Sequence, residues 1–216
     1  MGTLLDHYST EHGVFSIYLN TLTSPESISF FKNVQSLGYW FIEGASEIVV
    51  TSDSPHRWLM LTLYSTVSGC SVLAGYSLLY VFSNPFQRPS HSLRLCQILL
   101  LPPFQRQSHS SRLLDVVHRR LMHTPLSALL PQSYAETVDD ASHSQESCVF
   151  ASLTVEDPCP ECTFVRDVFD CRLLRRIGVL APYINDHRDP QPLTEDTVRE
   201  VARSTGITRA QLQKCY

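Results

Sequence analysis

Residues 90–121 read SHSLRLCQILLLPPFQRQSHSSRLLDVVHRRL and hold the types and spacing best suited to chemistry. An apolar run from Leu95 to Leu101 stops at Pro102-Pro103. Phe104 leads into a short polar loop of Gln105, Arg106, Gln107, Ser108, His109, Ser110 and Ser111. Leu113, Leu114, Val117 and Leu121 then recur at helical spacing. A strand that feeds a helix through a short loop leaves the first N–H groups of the helix without partners, pointing outward, where they attract anions. The pattern predicts a ligand that carries phosphates.

The elements that must position this loop can be read along the chain. Residues 15–19 alternate as a strand. Residues 24–46 predict a helix, with Ser24 or Ser27 as N-cap and Phe30, Phe31, Val34, Leu37 and Phe41 toward a core. Four strand-like runs follow at 48–51, 58–65, 72–82 and 94–101, broken around Pro55, Gly69 and Asn84-Pro85. A helix spans 111–122. Residues 125–147 are poor in aromatics and rich in Ser, Asp, Glu and Gln, which predicts a mobile loop. A strand at 149–156 ends before Pro158, and a helix covers 164–177. After a linker at 182–192, Thr194 opens a helix with Glu195 and Asp196 in its first turn, and Gly206 stops it. Thr208 and Gln211 form a capping box for a last helix. This order predicts an α+β fold: a mixed, mostly antiparallel sheet flanked by helices, with a small helical appendage. It divides into an N-terminal strand and helix (1–46), a core (47–181) and a C-terminal helical segment (182–216).

Composition narrows the functional classes. Of 216 residues, 43% are hydrophobic and 18% charged, as in a globular protein. A net charge of −4 gives no general attraction to nucleic acid. Residues 1–12 are polar, without the apolar stretch of a leader peptide, and the 70–82 run is too short to span a membrane. The seven cysteines are odd in number and irregularly spaced, which predicts reduced thiols in a cytosolic or nuclear protein. Cys159 and Cys162 form a CxxC, half of a zinc site or a redox pair, but no second pair follows at metal spacing and no metal is expected. Residues 198–216 have the form of a helix-turn-helix, with Arg199, Arg203, Arg209 and Lys214 as its basic residues. DNA binding is therefore the rival reading from another class.

Phe104–Ser111 stands where acetyl-CoA-binding acetyltransferases of the Gcn5-related type carry Gln-x-x-Gly-x-Gly. The wider context resembles one family more closely. Gln97-Ile-Leu-Leu-Leu-Pro-Pro-Phe-Gln, His109 and the Leu113-Leu114 helix ending in Val117-His118 resemble the catalytic subunits of type B histone acetyltransferases. So do Trp40-Phe-Ile-Glu-Gly-Ala-Ser46, Leu153-Thr-Val-Glu-Asp-Pro158 with Arg166-Asp167 beyond it, and the segment from Gly206 to Tyr216. The likeness runs from about Phe15 to the end and is interrupted by residues 125–147.

The resemblance implies a Gcn5-related acetyltransferase fold. It also implies transfer of an acetyl group from acetyl-CoA to a lysine of free, newly made core histones, chiefly the fourth. It assigns Glu156, Asp157 and Glu43 to an acidic base cluster. The need for one is elementary: a lysine ammonium has a pKa of about 10.4, so about one in a thousand is the nucleophilic amine near neutrality. A carboxylate held beside others is the stronger base, and the cluster attracts the cationic substrate. The resemblance further implies that the backbone of Ile98, Leu99 and Leu100 pairs with the pantetheine arm as an added strand would, with N–H groups near Leu99 polarising the thioester carbonyl. Gln105–Ser111 would cradle the pyrophosphate, and Tyr80, Val81 and Phe82 would touch the histone tail. A WD-repeat histone-chaperone subunit is the implied partner and the nucleus and cytoplasm the implied location, with no direct nucleic acid or membrane contact.

Two departures bear on activity. The family's glycines fall here on Arg106, Ser108 and Ser110, where side chains occupy space and a left-handed backbone costs about 1–3 kcal/mol. The family also carries a further domain ahead of the segment that begins near Phe15, whereas only residues 1–14 precede it here. A weakened relative that serves as a histone-binding module is therefore the alternative within the family.

Overall fold

In the computed structural model, which describes residues 2–50, 57–83, 91–129, 150–179 and 193–215, the alternating runs join one six-stranded sheet whose spatial order follows the sequence. β1 (Thr3–Thr10) and β2 (Gly13–Thr21) form a hairpin. β3 (Trp58–Val67), β4 (Cys70–Ser83) and β5 (His91–Leu100) continue antiparallel, and β6 (Leu153–Val155) lies parallel to β5. Ser68 and Gly69 make the β3–β4 turn with φ of 51° and 79°, the twist that suits a two-residue hairpin. The expected mixed, mostly antiparallel sheet flanked by helices is what the structure has.

Helices cover both faces. α1 (Pro25–Phe41) starts at a reciprocal cap: Ser27 N–H donates to Ser24 Oγ at 3.2 Å and Ser24 N–H to Ser27 Oγ at 3.1 Å, with Pro25 as the first helical residue. It packs Phe31 and Val34 against Leu22, Met60, Tyr76, Leu78 and Leu99. The larger layer lies on the opposite face. There α2 (His109–Val116), prolonged by a π turn (Val117–Leu121), is followed by α3 (Leu126–Leu129), α4 (Pro160–Arg176), α5 (Glu195–Thr205) and α6 (Arg209–Cys215). Leu113, Val117, Leu174, Val201 and Leu212 meet Leu61, Leu63, Val81 and Leu95 of the sheet in one core. The C-terminal helices belong to that core, because Leu153 N–H donates to the carbonyl of Gly206 at 2.9 Å along the outer edge of β6. Gly206 has φ of 70°, and a Cβ there would meet Met122 Cε at 2.2 Å.

Several boundaries differ from the sequence reading. The first helix ends at Phe41 rather than residue 46, since the chain turns through Gly44 at φ 72°. The strand expected at 48–51 does not form over 48–50: the Ile48 N–H is taken by the Gln35 side chain at 2.6 Å instead of a neighbouring strand. The first strand was not foreseen, because its residues are largely exposed and lack alternation. α2 starts at His109, two residues early, and α4 at Pro160, four early, capped by Cys159. The strand expected over 149–156 is regular only at Leu153–Val155. Within the expected loop 125–147, Leu126 and Leu129 are buried in a short helix. The remainder of that loop, the 182–192 linker and the breaks at Pro55 and Asn84-Pro85 lie outside the described residues.

Candidate active site

The site is created by one extra residue in β5. Leu93 N–H donates to Ser152 O at 2.9 Å and Leu95 O accepts from Glu156 N–H at 3.0 Å, so before Cys96 the odd-numbered residues turn their peptide groups toward β6. Leu101 N–H instead donates to Ala74 O at 2.9 Å, on the β4 side. The register with β4 slips in between, from Leu79↔Leu95 to Leu78↔Gln97, leaving Cys96 as a bulge. The bulge exchanges the faces as well: Leu93 and Leu95 pack under α2, whereas Leu99 packs under α1. Beyond it, the even-numbered peptides of Ile98 and Leu100 point away from β4. Since β6 stops at Val155, they face an open notch. Leu100 O accepts from Gln105 Nε2 at 2.9 Å, and the other groups on this edge have no backbone partner among the described residues.

Glu156 stands at the mouth of the notch, just past the end of β6. Its carboxylate is 3.9 Å from Arg94 Nη1, with 47% of the side chain exposed. The Cys96 thiol nearby donates to Arg94 O at 3.7 Å; burial first, and then the Glu156 carboxylate, push that thiol up to about 12. Asp157 follows with φ of 34° and exposed, so the acids sit in a bend outside the strand rather than on its two faces. Glu43 is exposed just after α1, and among the described residues no hydrogen bond or ion pair joins it to Glu156 or Asp157. The α1 end is nonetheless tied to this region, for Tyr76 donates to Gln97 Oε1 at 2.9 Å beside Gly38, next to the bulge.

At the far end of β5, the loop forms the predicted helix entrance. Arg106 and Ser108 have φ of 60° and 64°, two of the three positions where the resembling family has glycine, while Ser110 is helical. Arg106 is exposed. Gln107 Nε2 donates to Pro103 O at 3.0 Å, and with the Gln105 contact these side chains fold back on the loop. His109 turns inward. Its ring is 1% exposed, Tyr8 O–H meets Nδ1 at 2.8 Å, Nε2 faces Gln107 Oε1 at 3.3 Å, and Phe15 lies 4.2 Å away between centroids. Burial lowers its pKa and so disfavours the charged ring. Its main-chain N–H, with those of Ser110 and Ser111, opens α2. Arg112 fixes this turn to β1 through a bidentate pair with Asp6 at 2.6 and 3.2 Å.

Tyr80 and Phe82 lie on the face that carries α1, their rings 4.7 Å apart. Trp58 is 4.7 Å from Tyr80, and Arg94 sits 4.2 Å over Phe82. Val81 points to the other face and is fully buried in the core. The sequence reading passed over Arg94, Cys96 and Trp58. It also gave no role to Trp40, which is 82% exposed on the last turn of α1; an unburied tryptophan beside an acid was the available signal for Trp40. The register slip that brings Cys96 to Glu156 left none. The basic residues of the helix-turn-helix reading are largely engaged: Lys214 with Asp167 at 2.6 Å, Arg199 with Asp196 at 3.7 Å, and Arg209 with Glu195. No helix among the described residues is long and apolar enough to cross a membrane.

The whole chain aligns at 27% identity with the human histone acetyltransferase type B catalytic subunit, of which it covers 46%; it thus spans about half the length of that curated relative. No family model matches the sequence. Among solved structures, the xEco2 acetyltransferase domain bound to a CoA conjugate superposes with a TM-score of 0.47 at 11% identity, over 77% of this chain and 91% of that one. An aminoglycoside acetyltransferase from an uncultured soil metagenomic sample, in complex with trehalose, gives 0.43 at 10% identity over 83% and 93%.

Proposed function

We propose that this chain is an acetyltransferase that moves an acetyl group from acetyl-CoA to a lysine of a free core histone, the fourth in particular. The observation that carries the reading is the open peptide edge of Ile98 and Leu100 beside the carboxylate of Glu156. The whole-length likeness to a histone acetyltransferase subunit supports it. The pantetheine arm of acetyl-CoA would lie along that edge, and its pyrophosphate over the N–H groups that open α2, with Arg106 free to add a cation. Glu156 accepts the proton of the lysine ammonium directly or through water, and Asp157 adds negative charge that draws the cation in. N–H groups around Leu99 stabilise the oxyanion as the amine attacks, and the CoA sulfur departs. Tyr80, Phe82 and Arg94, with Glu43 and Trp40 at the end of α1, border the approach of the histone tail. A histone-chaperone subunit as partner and a nuclear and cytoplasmic location accompany this reading.

One feature favours a second reading, a histone-binding module without turnover: the left-handed positions carry Arg106 and Ser108 rather than glycine. Calorimetric titration with acetyl-CoA and mass-spectrometric turnover on histone-tail peptides separate the two. Saturable binding with acetylation lost in Glu156→Gln supports the enzyme. Tail binding with a flat acetyl-CoA trace supports the module and rejects the enzyme.

A further inference from the structure

The notch leaves unused a pair of thiols where α6 packs against α4. Cys171 lies in the middle of α4 and Cys215 is the last residue of α6. The Cys171 Sγ donates to the carbonyl oxygen of Cys215 at 3.8 Å, which sets the two residues side by side. The Cys215 sulfur also lies 3.9 Å from Asp167 O, one turn before Cys171, and 3.8 Å from Gln211 Nε2. Two further contacts fix this approach: Gln211 Nε2 to Asp167 Oδ1 at 2.8 Å and Lys214 Nζ to Asp167 Oδ2 at 2.6 Å. Both sulfurs are partly accessible and free.

We infer that Cys171 and Cys215 form a reversible disulfide that fastens α6 to α4, made by exchange with a small disulfide such as glutathione disulfide. The Cys171 sulfur attacks one glutathione sulfur; that S–S bond breaks and the first glutathione thiol leaves. The Cys215 sulfur then attacks Cys171, breaking the mixed disulfide and releasing the second glutathione. The two thiol protons end on the two glutathiones, and the protein pair is oxidised as the glutathione disulfide is reduced. Exchange begins at Cys171 because burial and the adjacent Cys171, Asp170 and Asp167 hold the Cys215 proton, with a pKa pushed up to about 12. The bridge ties 171 to 215, a long loop whose closure restricts the unfolded chain.

The test is to incubate the reduced full chain with glutathione disulfide, block remaining thiols and map peptides by mass spectrometry. The expected product joins the Cys171 and Cys215 peptides, two hydrogens lighter, with a thermal midpoint raised by roughly 5–10 °C and restored by dithiothreitol. Cys215→Ser abolishes both changes; the mapping stands on the natural sequence even if that variant folds poorly. Glutathione retained on either sulfur without closure, a link between Cys159 and Cys162 instead, or a bridge with no midpoint change would overturn the inference.

Discussion

Two arginine–carboxylate pairs flank β6 and differ in everything but their chemistry. At its end, Glu156 and Arg94 are 3.9 Å apart, with 47% and 38% of their side chains exposed. Beneath it, Asp170 and Arg166 are 3.3 Å apart, with 2% and 13% exposed. Arg166 Nη2 also donates to Leu153 O at 2.7 Å, and Asp170 is 3.9 Å from the His118 ring on the π turn. The buried carboxylate meets Arg166 of α4 and His118 of the π turn, and β6 in turn holds Arg166, so the carboxylate is closed off from solvent. The outer one keeps unused lone pairs and a path to solvent. Availability, rather than residue type, separates the structural acid from the one proposed as the base.

The largest effect that would sharpen this contrast is Asp170→Ala. Leaving Arg166 buried without its partner should cost about 3–5 kcal/mol in urea unfolding. A loss under about 1 kcal/mol would mean that the inner pair is as dispensable as an exposed one. Acid comes next. Burial holds the folded-state pKa of His118 down to about 4, below the unfolded value of about 6.5. The unfolded chain therefore takes up a proton first. The stabilisation, on the order of 3 kcal/mol, is present above about pH 6.5 and fades as pH falls toward 4. Burial raises the Asp170 pKa, which acts in the opposite sense and softens the lower end of the profile. His118→Gln should flatten the dependence of the urea midpoint on pH between 7 and 4.5. At the outer pair, Glu156→Gln should lower turnover by about 100-fold or more while stability changes by less than about 0.5 kcal/mol. Equal losses of stability and turnover would erase the distinction. Smallest is Ser108→Gly, which relieves a left-handed serine and should add about 1 kcal/mol of stability with acetyl-CoA affinity equal or higher. A destabilised variant would show that the Ser108 side chain is needed for the loop.

What could be read from residues follows from how local each signal is. The β5–loop–α2 unit was legible because Leu95–Leu101, two prolines and the spacing of Leu113 to Leu121 are near-neighbour patterns. The left-handed backbone at Arg106 and Ser108 answers to the glycine positions of the resemblance. β1 escaped because an edge strand with few buried residues needs no alternation, and α4 was started late although Cys159-Pro160 supplies both a cap and a first-turn proline. The meeting of His118, Asp170 and Arg166 spans 52 positions of sequence and has no local trace. Nor has the contact of Cys96 with Glu156, which depends on a register slip between strands. Glu43, Glu156 and Asp157 were named and are exposed; Asp170 was not, and tertiary packing buries it.

Taking Cys96 into the ladder in place of the bulge would restore a regular pleat to β5. Every residue after it would rotate by half a turn. Gln97 would leave the hydroxyl of Tyr76, Leu99 would be exchanged with Ile98 beneath α1, and the peptides of Ile98 and Leu100 would swing round to β4 while those of Gln97 and Leu99 took their place at the gap. The chain would keep its strands, its helices and all of its carboxylates, yet present a different row of peptide groups on its open edge.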